Sequence, residues 1–188
     1  MASVVVNGDT SGAVTLSAPA VAGTVTVTLP AASGTMLTTA STGVVTQAML
    51  STNVAGNGPA FSAYSNADQT TTTNVWTKIT FQVEEFDTNN NFASSRFTPT
   101  VSGYYQINGS YYSNGGPSRT AIATYKNGAS YKVVDTVATT YGILISSLVY
   151  LNGSTDYVEI YMNNVTGGYG VLFDSTRTYF SGSMVRSA

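Results

Sequence analysis

The feature that most limits what this chain can become is its rhythm from Ala60 onward. Short runs of β-branched and aromatic residues are each closed by a turn signal, and no segment carries helical periodicity. The runs predict strands at Ala60–Tyr64, Val75–Val83, Ser95–Phe97, Gly103–Ser110, Arg119–Lys126, Ser130–Ala138, Tyr141–Leu151, Asp156–Met162 and Thr178–Val185. Asn127-Gly128 and Asn152-Gly153 fall between runs, where tight turns need positive φ. About nine short strands at this spacing predict a β-sandwich of jelly-roll type.

The first third is different in kind. Asp9 is the sole charged residue before Asp68. Ala13–Ser17 and Thr24–Leu29 alternate apolar with hydroxyl residues, which predicts strands with one covered face, and prolines follow at Pro19 and Pro30. Two short strands do not hold themselves together in water, so this segment is expected to lie on another surface: its own chain, a sister subunit or a larger assembly. The competing reading is a flexible tail, but such tails are usually rich in charge and poor in β-branched residues. A polar stretch follows over 41–59, with one patch at Val44–Leu50 that could make a turn or two of helix. Asn57-Gly58-Pro59 breaks the chain there. The expected division is an N-terminal β-rich arm over 1–58 and an all-β domain over 59–188.

Composition removes many functions. The 188 residues include no His and no Cys, which excludes Ser-His-Asp and Cys-His nucleophiles, His-ligated metals, zinc knuckles and disulfides. A formal net charge of −2 provides no basic footprint for nucleic acid. The apolar window Ile143–Leu151 is about half of the ~20 residues a membrane-crossing helix needs, and Met1–Val6 lacks the basic start of a secretion signal. Glu84, Glu85 and Asp87 are the one acidic cluster, the residue type glycoside hydrolysis uses. Adjacent strand residues face opposite ways, however, so Glu84 and Glu85 cannot flank one bond, whereas Glu85 and Asp87 could share a face. Asp87, Asp135 and Asp174 are scattered loop carboxylates with no dense oxygen-ligand spacing. The Gly-rich runs Asn114-Gly115-Gly116 and Gly167–Gly170 lack the helix and Lys-Ser/Thr of a phosphate cradle. No catalytic residue, cofactor or metal is expected.

The ordered motifs carry a resemblance. Ala60–Tyr64, then Trp76–Phe81 leading into Phe86-Asp87 and an Asn-rich loop ending at Phe92, then Phe97-Thr98-Pro99-Thr100-Val101-Ser102-Gly103-Tyr104-Tyr105, are followed by Tyr125-Lys126-Asn127-Gly128, Asp156-Tyr157-Val158 and Tyr179-Phe180-Ser181-Gly182. In this order, over residues 60–186, they resemble the C1q/TNF-like jelly-roll family. Leu16–Thr24 and Thr28–Leu37 resemble the N-terminal attachment segments of tailed-phage fibre and head-decoration proteins. No collagen-like Gly-X-Y stalk is present, unlike animal C1q proteins.

The resemblance implies a homotrimer and a virion protein assembled in the host cytoplasm. On Asp156–Met162, Val158 and Ile160 share one face while Tyr157, Glu159 and Tyr161 share the other, so the expected trimer seam is Tyr157 and Tyr161, with Tyr105. Val14, Leu16, Val25, Val27 and Leu29 are the expected virion-attachment residues. The implied partners are the chain itself, a major capsid protein or tail and portal proteins, and a host surface glycan or protein. The implied role is non-enzymatic capsid decoration or cement. A tail fibre or receptor-binding adhesin is the alternative, and a glycan-processing enzyme a more remote one.

Overall fold

Asn127 and Gly128 both adopt left-handed backbone, at φ 53 and 79, and so turn the chain tightly back on itself between β9 (Thr120–Lys126) and β10 (Ala129–Thr136). This hairpin starts one of the two six-stranded sheets in the computed structural model, which describes residues 3–7, 10–17, 21, 31, 50, 56–137, 141–165 and 169–188. β9 pairs on its other side with β12 (Val158–Asn164), and β12 continues to β7 (Arg96–Phe97) and β6 (Phe92–Ala93). β4 (Thr77–Lys78) also pairs with β12.

The second sheet runs in the order β11 (Gly142–Asn152), β8 (Ser102–Ser113), β14 (Tyr179–Ser187), β3 (Ala60–Tyr64), β5 (Val83–Asp87). β13 (Val171–Leu172) pairs with β8. Strand alternation sends one set of side chains inward from each sheet. Phe61, Tyr105, Ile107, Tyr111, Val149 and Phe180 come from this sheet, and Phe92, Phe97, Ile122, Val158, Ile160 and Met162 from the other. At the centre the Phe61 ring stacks on Phe97 at 4.4 Å and on Phe92 at 4.9 Å, and meets Phe180 edge-on at 4.8 Å. Each such pair adds roughly 0.5–1.5 kcal/mol beyond its buried area.

The expected long strand at Val75–Val83 is instead two short ones in different sheets. β4 pairs with β12 and β5 with β3, and residues 79–82 cross between the layers. Their backbone groups are satisfied without a continuous ladder: Ile79 N–H donates to the Ile160 carbonyl, Thr80 N–H to Gln69 Oε1 and Phe81 N–H to Ser95 Oγ. Asn152-Gly153 likewise links the two sheets rather than closing a hairpin. Asn152 Oδ1 accepts the N–H groups of Ser154, Thr155 and Asp156 and so holds the connecting loop.

The chain divides into two compact units, Met1–Val44 and Val45–Ala188. In the first, β1 (Ser3–Asn7) pairs antiparallel with β2 (Ala13–Ser17), with Val4 opposite Leu16 and Val6 opposite Val14. The expected strand at Thr24–Leu29, and residues 44–49 of the expected helical turn, lie outside the described residues.

Candidate functional site

Two outward sheet faces are the surfaces on which function can be built, and they differ in chemistry. The first covers β11, β8, β14 and β3, whose register sets outward residues in rows. Tyr150 lies opposite Tyr104 and then Arg186. Leu148 is followed by Gln106 and Ser183, Ser146 by Asn108, Ser181 and Ser62, and Leu144 by Ser110, Tyr179 and Tyr64. Leu144 is 62% and Leu148 51% exposed, and Tyr104, Tyr150 and Val185 are also exposed. The polar middle is tied together: Gln106 Nε2 donates to Ser146 Oγ and Ser146 Oγ to Asn108 Oδ1, both at 2.8 Å. Two open hollows lie on this face, about 560 Å³ beside Tyr112, Leu144 and Tyr179, and about 640 Å³ beside Tyr104, Leu148 and Val185.

The second face is centred on β12. Glu159 is 2% exposed, yet its Oε1 receives Lys78 Nζ at 2.8 Å and Arg96 Nε at 2.9 Å. Burial alone would push this carboxyl up, but the hydrogen bonds from Lys78 and then Arg96 outweigh it and hold the group below its ordinary value. The Arg96 guanidinium lies 3.8 Å over the Tyr157 ring. Tyr161 stacks on Tyr125 at 3.9 Å, with Trp76 a further 6.0 Å from Tyr125. Burial raises the Tyr161 hydroxyl above its ordinary range, and the adjacent Glu159 adds to the effect. This cluster joins three strands across sequence separations of 81 and 63 residues, and sequence reasoning took from it no more than the shared face of Tyr157, Glu159 and Tyr161.

Tyr157 and Tyr161 are half-buried on this face, opposite the core positions Val158 and Ile160. Tyr105 is a correction. It is fully buried in the sandwich, its hydroxyl donates to the Val101 carbonyl at 2.6 Å, and desolvation pushes it up to about 12. It shares the parity of the core residue Ile107, so its neighbour Tyr104 takes the outward position. Val14 and Leu16 lie on β2, while Val25, Val27 and Leu29 lie outside the described residues.

The acidic residues do not converge. The β3–β5 register shifts between Ser62 and Ala63, which removes the simple alternation expected for Glu85 and Asp87. Glu85 accepts from Ser62 Oγ at 2.6 Å, whereas Asp87 caps the following turn by accepting from Phe92 N–H at 2.6 Å. Asp135 pairs with Arg119, and Asp174 accepts the N–H groups of Thr176 and Arg177.

No protein-family model matches the sequence, and no curated protein matches it. Among solved structures, murine APRIL, a TNF-like protein, superposes with a TM-score of 0.55 at 6% identity, over 68% of this chain and 98% of its own. The vertex protein P5 of phage PRD1 gives 0.53 at 18% identity, over 68% of this chain and 73% of its own. The globular domain of zebrafish complement 1qA gives 0.48 at 19% identity, over 69% and 99%. At such identities the APRIL and P5 likenesses speak for the fold alone. The chain folds as an all-β, C1q/TNF-like jelly roll. No helix among the described residues is long and apolar enough to cross a membrane.

Proposed function

We propose that this chain is a non-enzymatic capsid-decoration protein of a phage virion, in which a homotrimeric jelly-roll head is held to the particle by the arm at 1–58. The observation that carries the reading is the first outward face. The four neighbouring strands β11, β8, β14 and β3 contain one charged residue, Arg186, while Leu144, Leu148, Tyr104, Tyr150 and Val185 stand exposed on them. A surface that must be desolvated in a subunit contact loses little when it carries few charges.

The β10 edge supports the same reading. Tyr131, Val133 and Val134 are exposed there, and Tyr131 donates to the Leu148 carbonyl at 3.2 Å, so the edge adjoins the face. Two different surfaces with exposed apolar side chains on one chain, the β10 edge also carrying Lys132 and Asp135, suit a head-to-tail contact that closes into a ring. We therefore propose this face as the seam in place of the expected Tyr157 and Tyr161, whose face carries the Lys78–Glu159–Arg96 ion pairs and is the comparison surface. The likeness to a virion vertex protein and the charge-poor arm support attachment to a particle, with a major capsid protein as the partner.

The test has two steps. Size-exclusion chromatography with light scattering on the full chain at micromolar concentration is expected to give a trimer mass. Deleting residues 2–40 is expected to leave a trimeric head that no longer joins particles. A monomer in the first step refutes the trimer, and a truncated chain that still decorates particles refutes the role of the arm.

A further inference from the structure

The cleft where β4 meets the β6–β7 hairpin has no part in the reading above. It measures about 480 Å³, within the ~300–1,000 Å³ typical of small-molecule sites, and is lined by Lys78, Asn90, Asn91, Ser94, Arg96 and Thr98 among others. None of the described lining residues is acidic, although the chain has 9 Asp and Glu against 7 Lys and Arg.

The two cations are held rather than loose. Both bond Glu159 Oε1, so two positive charges share one buried carboxylate and a net positive charge faces the cleft. Arg96 is fixed twice: its Nε is committed to Glu159 and its plane lies on Tyr157. Its terminal Nη groups have no hydrogen-bond partner among the described residues, which leaves a pre-oriented fork of the shape a carboxylate accepts in bidentate fashion.

Neutral donors surround the fork. Asn90 and Ser94 are exposed, and the side chain of neither has a partner among the described residues; both are held in left-handed backbone, at φ 54 and 51. At Ser94 this is the two-residue turn of the β6–β7 hairpin, whose other central residue, Ser95, is left-handed too at φ 57. A net excess of one cation suits one carboxylate better than a polyphosphate. A wall of amides and hydroxyls, with Ala93 as its sole apolar side chain, suits a polyhydroxylated ligand better than a peptide side chain or a nucleobase.

We propose that this cleft binds the carboxylate of an acidic sugar, of sialic-acid or uronic-acid type, through the Arg96 fork and Lys78, with Asn90 and Ser94 on the ring hydroxyls. The site is independent of particle attachment.

The test is an NMR titration of the full chain with sialyl-lactose and with glucuronic acid, each beside its uncharged counterpart, lactose or glucose. Shifts confined to Lys78, Asn90, Ser94 and Arg96, with an acidic sugar binding at least about tenfold more tightly than its counterpart, support the site. Arg96→Lys keeps the charge but removes the fork and is expected to weaken binding about tenfold. Asn90→Asp alters an exposed, unpartnered side chain, leaves the fold intact, and is expected to abolish binding by repulsion. The proposal is overturned by equal response to charged and uncharged sugars, by undiminished binding in Asn90→Asp, or by acetate or inorganic phosphate binding as tightly as the sugar. The last outcome would mark a general anion site.

Discussion

Replacing Glu159 with Gln preserves the shape of a side chain that is 2% exposed and removes the charge shared by Lys78 and Arg96. A hydrogen bond to an ionised group contributes roughly 1.5–3 kcal/mol against about 1 kcal/mol for a neutral one, so the two bonds together lose about 2 kcal/mol. Lys78 is 29% and Arg96 43% exposed, and solvent screening brings the expected loss to about 1–2 kcal/mol. Urea unfolding near neutral pH should show this as a lower midpoint with an unchanged slope. The pH dependence has a definite sign. The folded carboxyl lies below its ordinary value of 4.5, so its stabilisation is fully present above that pH and fades as pH falls through the folded value. The gap between wild type and Glu159→Gln should therefore be constant across the neutral range and close in acid. A gap below about 0.5 kcal/mol at neutral pH, or one that persists undiminished in strong acid, refutes the reasoning.

Three further outcomes follow from the packing. Leu144→Lys with Leu148→Lys should reduce the light-scattering mass to that of a monomer, whereas Tyr157→Ala with Tyr161→Ala should leave it unchanged; the reverse pattern would move the seam to the β12 face. At Gly109 an added Cβ would lie 2.7 Å from Ile160 Cδ1, so Gly109→Val overpacks the gap between the sheets and should cost about 1–3 kcal/mol, read as a thermal midpoint several degrees lower. Tyr105 and Tyr111 are each pushed up to about 12 by burial, so an ultraviolet titration should find tyrosines that ionise late. Because the raised value favours the neutral form in the folded state, this contribution to stability should be lost as pH rises from about 10. Titration of every tyrosine near pH 10 while the protein stays folded would contradict that burial.

The long strands were legible because their alternation is nearly unbroken. Tyr105, Ile107 and Tyr111 on β8, and Ile145, Val149 and Leu151 on β11, point inward as period-2 reading requires. The local pattern breaks where side chains distant in sequence replace the ladder. Gln69 and Ser95 satisfy the backbone of Thr80 and Phe81, and nothing local to 75–83 announces that the segment changes sheets. Tyr105 shares the inward parity of Ile107, and the outward position expected of it belongs to its neighbour Tyr104. The Lys78–Glu159–Arg96 cluster had no local signal, because three antiparallel strands from distant parts of the chain assemble it.

The distribution of charge on the folded head ties these surfaces together. β4, β7, β9 and β12 carry Lys78, Arg96, Lys126 and Glu159, while the strands β11, β8, β14 and β3 carry Arg186 alone, with Arg177 over the Tyr112 ring and Glu85 on Ser62 at the margins of their face. Desolvating an unpaired charge costs several kcal/mol, so residues destined for a subunit contact are under pressure to be neutral, and residues that stay in water are not. The segment before Asp68, with Asp9 as its sole charge, follows the rule of the neutral face. In the proposed assembly the arm and the neutral face are the surfaces to be covered, and the charged β12 face stays in water. A trimer that covered the β12 face instead would have to desolvate Lys78 and Arg96, two cations that share the one buried carboxylate of Glu159, a cost the neutral face does not impose.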